Sequence, residues 1–175
     1  KKGDKIAVTG KNSPEWALAY FAISFAGCTI VPLDYSLHIE DMEKILTFGD
    51  VDRVFIDGEK INELDKDGKL FKEKISLEKA SKGYKYILDL EGPEVELPKL
   101  KCEDTAAILF TSGTTGTPKG VMLSFTNFMS STLSSQRLFN VYSTDVFYVI
   151  LPIHHAYTMT AVLLETVVSG ASAVF

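Results

Sequence analysis

Ten consecutive residues concentrate the chemistry of this chain: Thr111-Ser112-Gly113-Thr114-Thr115-Gly116-Thr117-Pro118-Lys119-Gly120. Glycines at 113, 116 and 120 let the backbone take positive φ and approach a ligand closely. The hydroxyls of Thr111, Ser112, Thr114, Thr115 and Thr117 can donate to anionic oxygens, Lys119 adds a cation on a long stem, and no acid interrupts the run. Successive amides in such a loop form an anion-binding nest, so the pattern suits phosphate. It is not a Walker A loop, which needs a Lys followed by Ser or Thr at the start of a helix. Here Gly120 follows Lys119 and a strand is expected from Val121. The Gly113-x-x-Gly116 spacing does not fit the dinucleotide fingerprint either. The plain alternative is a flexible Gly/Thr connector.

A second candidate is the pair His154-His155, placed after Pro152-Ile153. Such a pair could ligate a metal, move a proton or pack as core. No third ligand is in view, which weakens the metal reading. Cys28 and Cys102 lie far apart without CxxC spacing, as in a reducing compartment. With no signal peptide at KKGDKIAV, the expectation is a cytoplasmic protein. The apolar run from Trp16 to Val31 is broken by Ser24, Gly27 and Thr29 and is short for a membrane span, leaving room only for peripheral membrane contact.

The chain has 175 residues, a net charge of −5 and 46% hydrophobic residues, enough for a sizeable core. An acidic balance with no cluster of cations argues against nucleic acid as a partner. It does not argue against a nucleotide, because backbone amides and one Lys can hold phosphates.

The elements that would position these groups follow from local pattern. Lys5–Thr9 reads as a strand. Ser13 caps a helix over Glu15–Ala26, with Pro14 at its first position and Gly27 as its stop. Thr29–Leu33 is a strand with Pro32 at an edge or at its end. Glu40–Phe48 is an amphipathic helix stopped by Gly49-Asp50, and Val51–Ile56 is a strand. The Lys/Glu-rich stretch 57–82 reads as short surface helices, and Tyr84–Leu88 as a strand. Glu91–Glu103, with Pro93 and Pro98, reads as a linker between possible lobes 1–90 and 104–175. Beyond it, Thr105–Thr111 is a buried strand, Ser112–Gly120 the loop and Val121–Leu123 a strand. Ser124 caps a helix over Phe125–Phe139, Asp145–Leu151 is a strand, and His154–Thr158 a turn. Thr160–Ser169 is a helix stopped by Gly170, and Ala171–Phe175 begins another strand. Alternating strands and helices predict an α/β fold of βαβ units with a mostly parallel sheet. Opening without Met and ending where a strand is expected, the chain reads as a fragment of a longer protein.

The segment FTSGTTGTPKGVMLS resembles the phosphate-binding signature of the acyl-adenylate-forming (AMP-binding) superfamily. That superfamily includes acyl-CoA synthetases, peptide-synthetase adenylation domains and beetle luciferases. The likeness extends upstream through GDKIAVTGKNSPEWALAYFAISFAGCTIVPLDYSLHIEDMEKIL and downstream to LPIHHAY, and is weakest in the Lys/Glu-rich middle. It implies part of the large N-terminal domain of such an enzyme, most like a long-chain fatty-acid–CoA ligase. The implied activity is ATP-dependent conversion of a carboxylic acid to acyl-AMP and then acyl-CoA, with Mg²⁺ as cofactor and coenzyme A as co-substrate.

On the same resemblance, Thr111, Ser112, Gly113, Thr114, Thr115, Gly116, Thr117 and Lys119 would embrace the ATP β- and γ-phosphates. His155 would stand near the acyl carboxylate, and Lys119 and His155 would be the catalytic pair. His154 would be its neighbour, in a core or supporting role. Thr158 stands where many members have Gly, and Phe125 where a His is common, which puts the shape of the acyl pocket in doubt. The adenine motif with its Thr-Glu metal ligand, the ribose-binding Asp and the C-terminal catalytic Lys are not found, so the fragment alone is expected to be inactive. Two rivals stay open. An amino-acid adenylation domain would usually carry an FD-x-S segment where PIHHAY stands here. A non-catalytic pseudo-ligase would keep the fold as a binding module.

Overall fold

The computed structural model describes residues 1–79, 83–111 and 118–175. Its main sheet has seven strands. These are β1 (Lys5–Thr9), β2 (Thr29–Pro32), β3 (Arg53–Ile56), β4 (Glu73–Ser76), β5 (Lys85–Tyr86), β6 (Thr105–Thr111) and β7 (Lys119–Ser124), in the order β5-β4-β3-β1-β2-β6-β7. Every pairing is parallel except β6 with β7. Strands from both sides of 91–103 therefore share one sheet. A separate two-stranded parallel sheet pairs β8 (Val146–Tyr148) with β9 (Ser172–Val174).

Both faces of the central strands are buried, as parallel sheets require. Val8 and Ile30 point into one apolar cluster, Ala7 and Val31 into another. The first cluster receives α1 (Pro14–Phe25) through Trp16, Tyr20 and Ile23. The second receives α2 (Ile39–Gly49) through Met42 and Leu46, and α3 (Gly58–Leu64) through Ile61 and Leu64. Helix α1 is apolar on nearly every side, and its outer face leaves Leu18 and Phe25 exposed. α2 carries a single apolar stripe because solvent takes its other face.

The helix ends follow from their caps. The Ser13 hydroxyl accepts from Trp16 N at 3.1 Å. α4 (Phe125–Phe139) opens on a reciprocal capping box between Ser124 and Asn127. α2 and α4 end on Asp50 and Asn140, each in the left-handed region. Gly27 and Gly170 take φ of 71° and 72°, conformations in which a Cβ would be strained.

Several expectations need correction. The stretch after β3 is not all surface helix: α3 is followed by β4, an added strand with one apolar residue in four. It is specified by its parallel ladder to β3 and by Lys74, whose ammonium lies 2.6 Å from the Asp65 carboxylate. Pro32 ends a central strand and marks no edge, since β2 lies between β1 and β6. Lys119 and Gly120 belong to β7, not to the loop. Helical structure starts at Ala156, earlier than Thr160. It passes from α5 (Ala156–Thr158) through a π-helical Met159–Leu164 into α6 (Glu165–Ser169).

Candidate active site

The carboxyl end of β6 is Thr111, and its rung partner on β7 is Lys119. An antiparallel ladder thus fixes both ends of the Gly/Thr loop next to each other. Ser112, Gly113, Thr114, Thr115, Gly116 and Thr117 lie outside the described residues. Thr111 and Lys119 are both exposed.

Beside Thr111 opens a cleft of about 610 Å³. Its walls include Pro32 at the end of β2 with Leu33-Asp34 after it, Phe110-Thr111 of β6, Pro118, and His154-His155-Ala156. Ligands in open α/β sheets bind outside the carboxyl ends of the strands, and this cleft lies there. The sheet so brings together Thr111 and His155, which are distant in sequence. Lys119 is not among the described residues that line the cleft.

His155 is exposed on the cleft side and sits at the start of α5, where its carbonyl accepts from Met159 N at 3.0 Å. His154 is more enclosed. Its ring centroid lies 4.4 Å from that of His155, and its Nε2 is 3.8 Å from Asp34 Oδ2. At that distance no hydrogen bond forms, and Nε2 has no partner among the described residues. Burial pushes the His154 pKa down, His155 adds to that, and Asp34 opposes it without prevailing. Burial works to raise the Asp34 carboxyl, but two donors from Ser36, at 2.8 and 2.7 Å, and the nearby imidazoles outweigh it and hold it low. At neutral pH the pair is therefore a carboxylate facing a neutral imidazole.

Four residues in or behind the cleft wall escaped the sequence reading. Asp34 follows the VPL strand in an Asp-x-Ser turn, a signal that was present. Asp41 and Lys44 of α2 form an ion pair at 3.0 Å on the cleft wall. Asn12, next to the Ser13 cap, bonds the backbone leading to His154. Among the described residues no group of three or more His, Cys, Asp or Glu could hold a metal ion.

Comparison with known proteins decides the family. The sequence profile described as AMP-binding enzyme matches residues 1–175. This chain belongs to the AMP-binding enzyme family. Long chain acyl-CoA synthetase 3 of Arabidopsis thaliana is 31% identical over 189 residues, covering 89% of this chain and 27% of the relative. 4-Coumarate–CoA ligase 4 of the same plant is 29% identical over 194 residues, covering 98% and 33%. The crystal structure of ATP-bound MatB from Rhodopseudomonas palustris superposes with a TM-score of 0.83 at 25% identity, over 100% of this chain and 35% of that one. The chain thus spans about a quarter of the length of the first curated relatives it matches. An AMP-binding fold accounts for the mostly parallel sheet and for the cleft at its carboxyl edge.

Proposed function

We propose that the whole protein activates a carboxylic acid, of the fatty-acid class, with ATP and then passes the acyl group to coenzyme A. The observation that carries this reading is the shared cleft: the loop end at Thr111 and the imidazole of His155 face one space, in a chain of the AMP-binding family. The long-chain acyl-CoA synthetases among its relatives favour a fatty acid.

In the first step a carboxylate oxygen attacks the α-phosphorus of ATP, the bond to the β-phosphate oxygen breaks, and acyl-AMP and pyrophosphate form. Negative charge grows on the departing pyrophosphate, so fixed donors and a cation at that position lower the barrier. Thr111, the loop residues 112–117 and Lys119 supply them in this reading. His155 orients the carboxylate from the opposite wall, with neutral His154 packed beside it. In the second step the coenzyme A thiolate attacks the acyl carbon and AMP leaves. Mg²⁺ would offset phosphate charge when bound. The described residues offer no ligand set for it, so no step is assigned through it.

The chain alone is expected to catalyse little. Among the described residues no helix is long and apolar enough to cross a membrane. Cys28 and Cys102 are both free thiols, which favours a cytoplasmic setting.

Carboxylate-dependent ATP–pyrophosphate exchange by the full-length protein tests the reading, with acids from acetate through long-chain fatty acids, aryl acids and amino acids. Exchange with fatty acids, followed by AMP release on adding coenzyme A, is expected. Exchange with an amino acid alone would replace the proposal with a peptide-synthetase domain. No exchange with any acid would favour a pseudo-ligase.

A further inference from the structure

The backbone that delivers His154 and His155 has no regular structure between the end of β8 and the start of α5. It still needs partners for its buried polar groups, because Val149 and Ile153 are buried in the core cluster that contains Trp16. One side chain meets three polar groups of this segment, two of them partly buried. Asn12 donates through Nδ2 to the carbonyls of Val149 and Leu151, each at 2.9 Å, and its Oδ1 accepts from Ile153 N at 2.9 Å. Two carbonyls and one N–H match the two donors and the acceptor of an amide in only one orientation, so the network itself fixes which way the amide points.

Asn12 is held in turn by what surrounds it. The preceding amide, Lys11 N, donates to Asp57 Oδ2 at 3.1 Å. A Cβ on Gly10 would come within 2.6 Å of Asp57 Oδ1, so only glycine lets the turn after β1 approach the acid this closely. On the other side Ser13 caps α1. The residue that grips the 149–153 backbone thus stands between a strand end and a helix start, both anchored in the main sheet.

We propose that Asn12 is a positioning residue for the acid-binding wall of the cleft: its amide clamps residues 149–153 so that the His154 and His155 rings stand at the required depth. The proposal rests on the reading of His155 at the carboxylate. No charged residue can replace the amide, since Asp would lose both donors and set a charge against two carbonyl oxygens.

The test uses the full-length protein with Asn12→Ala, Asn12→Asp and, as a control for lost stability alone, Ser13→Ala. Two quantities are read: KM values for carboxylate and for ATP in pyrophosphate exchange, and the ring ¹H–¹³C NMR signals of His154 and His155. Both Asn12 variants should raise the carboxylate KM about tenfold or more, since small displacements of a positioning group are costly. The ATP KM should stay near its original value, and the two histidine signals should shift. Ser13→Ala should lower the thermal midpoint without either change. Asn12→Asp keeps the size of the side chain and the acceptor for Ile153 N, and is read in the same way if the Ala variant does not fold. Ring signals and carboxylate KM no different from those of Ser13→Ala would overturn the proposal. Shifted ring signals with an unchanged carboxylate KM would uphold the clamp and remove His155 from the carboxylate site.

Discussion

Lys119 leaves β7 at the rung opposite Thr111, so its backbone is fixed by the ladder even though its side chain is exposed. A cation placed this way suits charge that develops late, on a departing pyrophosphate. Lys119→Ala in the full-length protein should therefore raise the barrier of the first step by about 2–4 kcal/mol. Steady-state turnover measures this, and an unchanged kcat would remove Lys119 from the mechanism. His154 acts on stability with a definite sign. Its pKa is pushed below the ordinary 6.5, chiefly by burial, so as pH falls the unfolded chain takes the proton first. The stability this group confers is present above about pH 6.5 and is lost as pH drops through the window below it. Urea unfolding at pH 7.5 and at pH 5.5 should show that decline, and His154→Gln should reduce it. An equal decline in both proteins would mean that other groups carry the dependence.

Among the elements, α4 depends most plainly on its first residue. The Ser124 hydroxyl accepts from Asn127 N, and the Asn127 side chain accepts from Ser124 N at 2.9 Å. Ser124→Ala should cost about 1 kcal/mol, seen as a lower urea midpoint at constant m-value. A midpoint within error of the parent protein would mean that packing alone sets this end of the helix. Such caps are local, which is why α1 and α4 could be read from sequence almost to the residue; α2 was read from its apolar stripe and its Gly49-Asp50 stop. The strands β1, β3 and β6 were legible for a related reason, being short β-branched or aromatic runs between turn residues. β4 was not legible: Glu73–Ser76 resembles a surface segment, and its pairing with β3 and β5 makes it a strand. The π-helical turns at Met159–Leu164 carry no local sequence mark, and they pack against α4. In the cleft, residues close to a recognisable motif were found. Asn12 bonds backbone 137 to 141 positions further along, a distance that no local pattern reports.

At the scale of the whole molecule, the first core cluster ties the sheet to the segment that leads to the cleft residues His154 and His155. Trp16 is fully buried there with Tyr20 stacked at 6.2 Å, and Val149 and Ile153 share the cluster. Trp16→Ala should cost about 3–5 kcal/mol by denaturant unfolding, as for other buried large aromatics. A loss under about 1 kcal/mol would show that the wall does not lean on α1. The grip of Asn12 also sets an order in time. Its partner Val149 lies 137 positions further along the chain. At cellular rates of about 5–20 residues per second, roughly 7 to 27 s separate the synthesis of the two. During that interval β1, α1, β2 and β3 can form around an amide still bonded to water. The nascent chain thus builds the centre of its main sheet first and fixes the segment leading to His154 only when residues 149–153 emerge and displace that water.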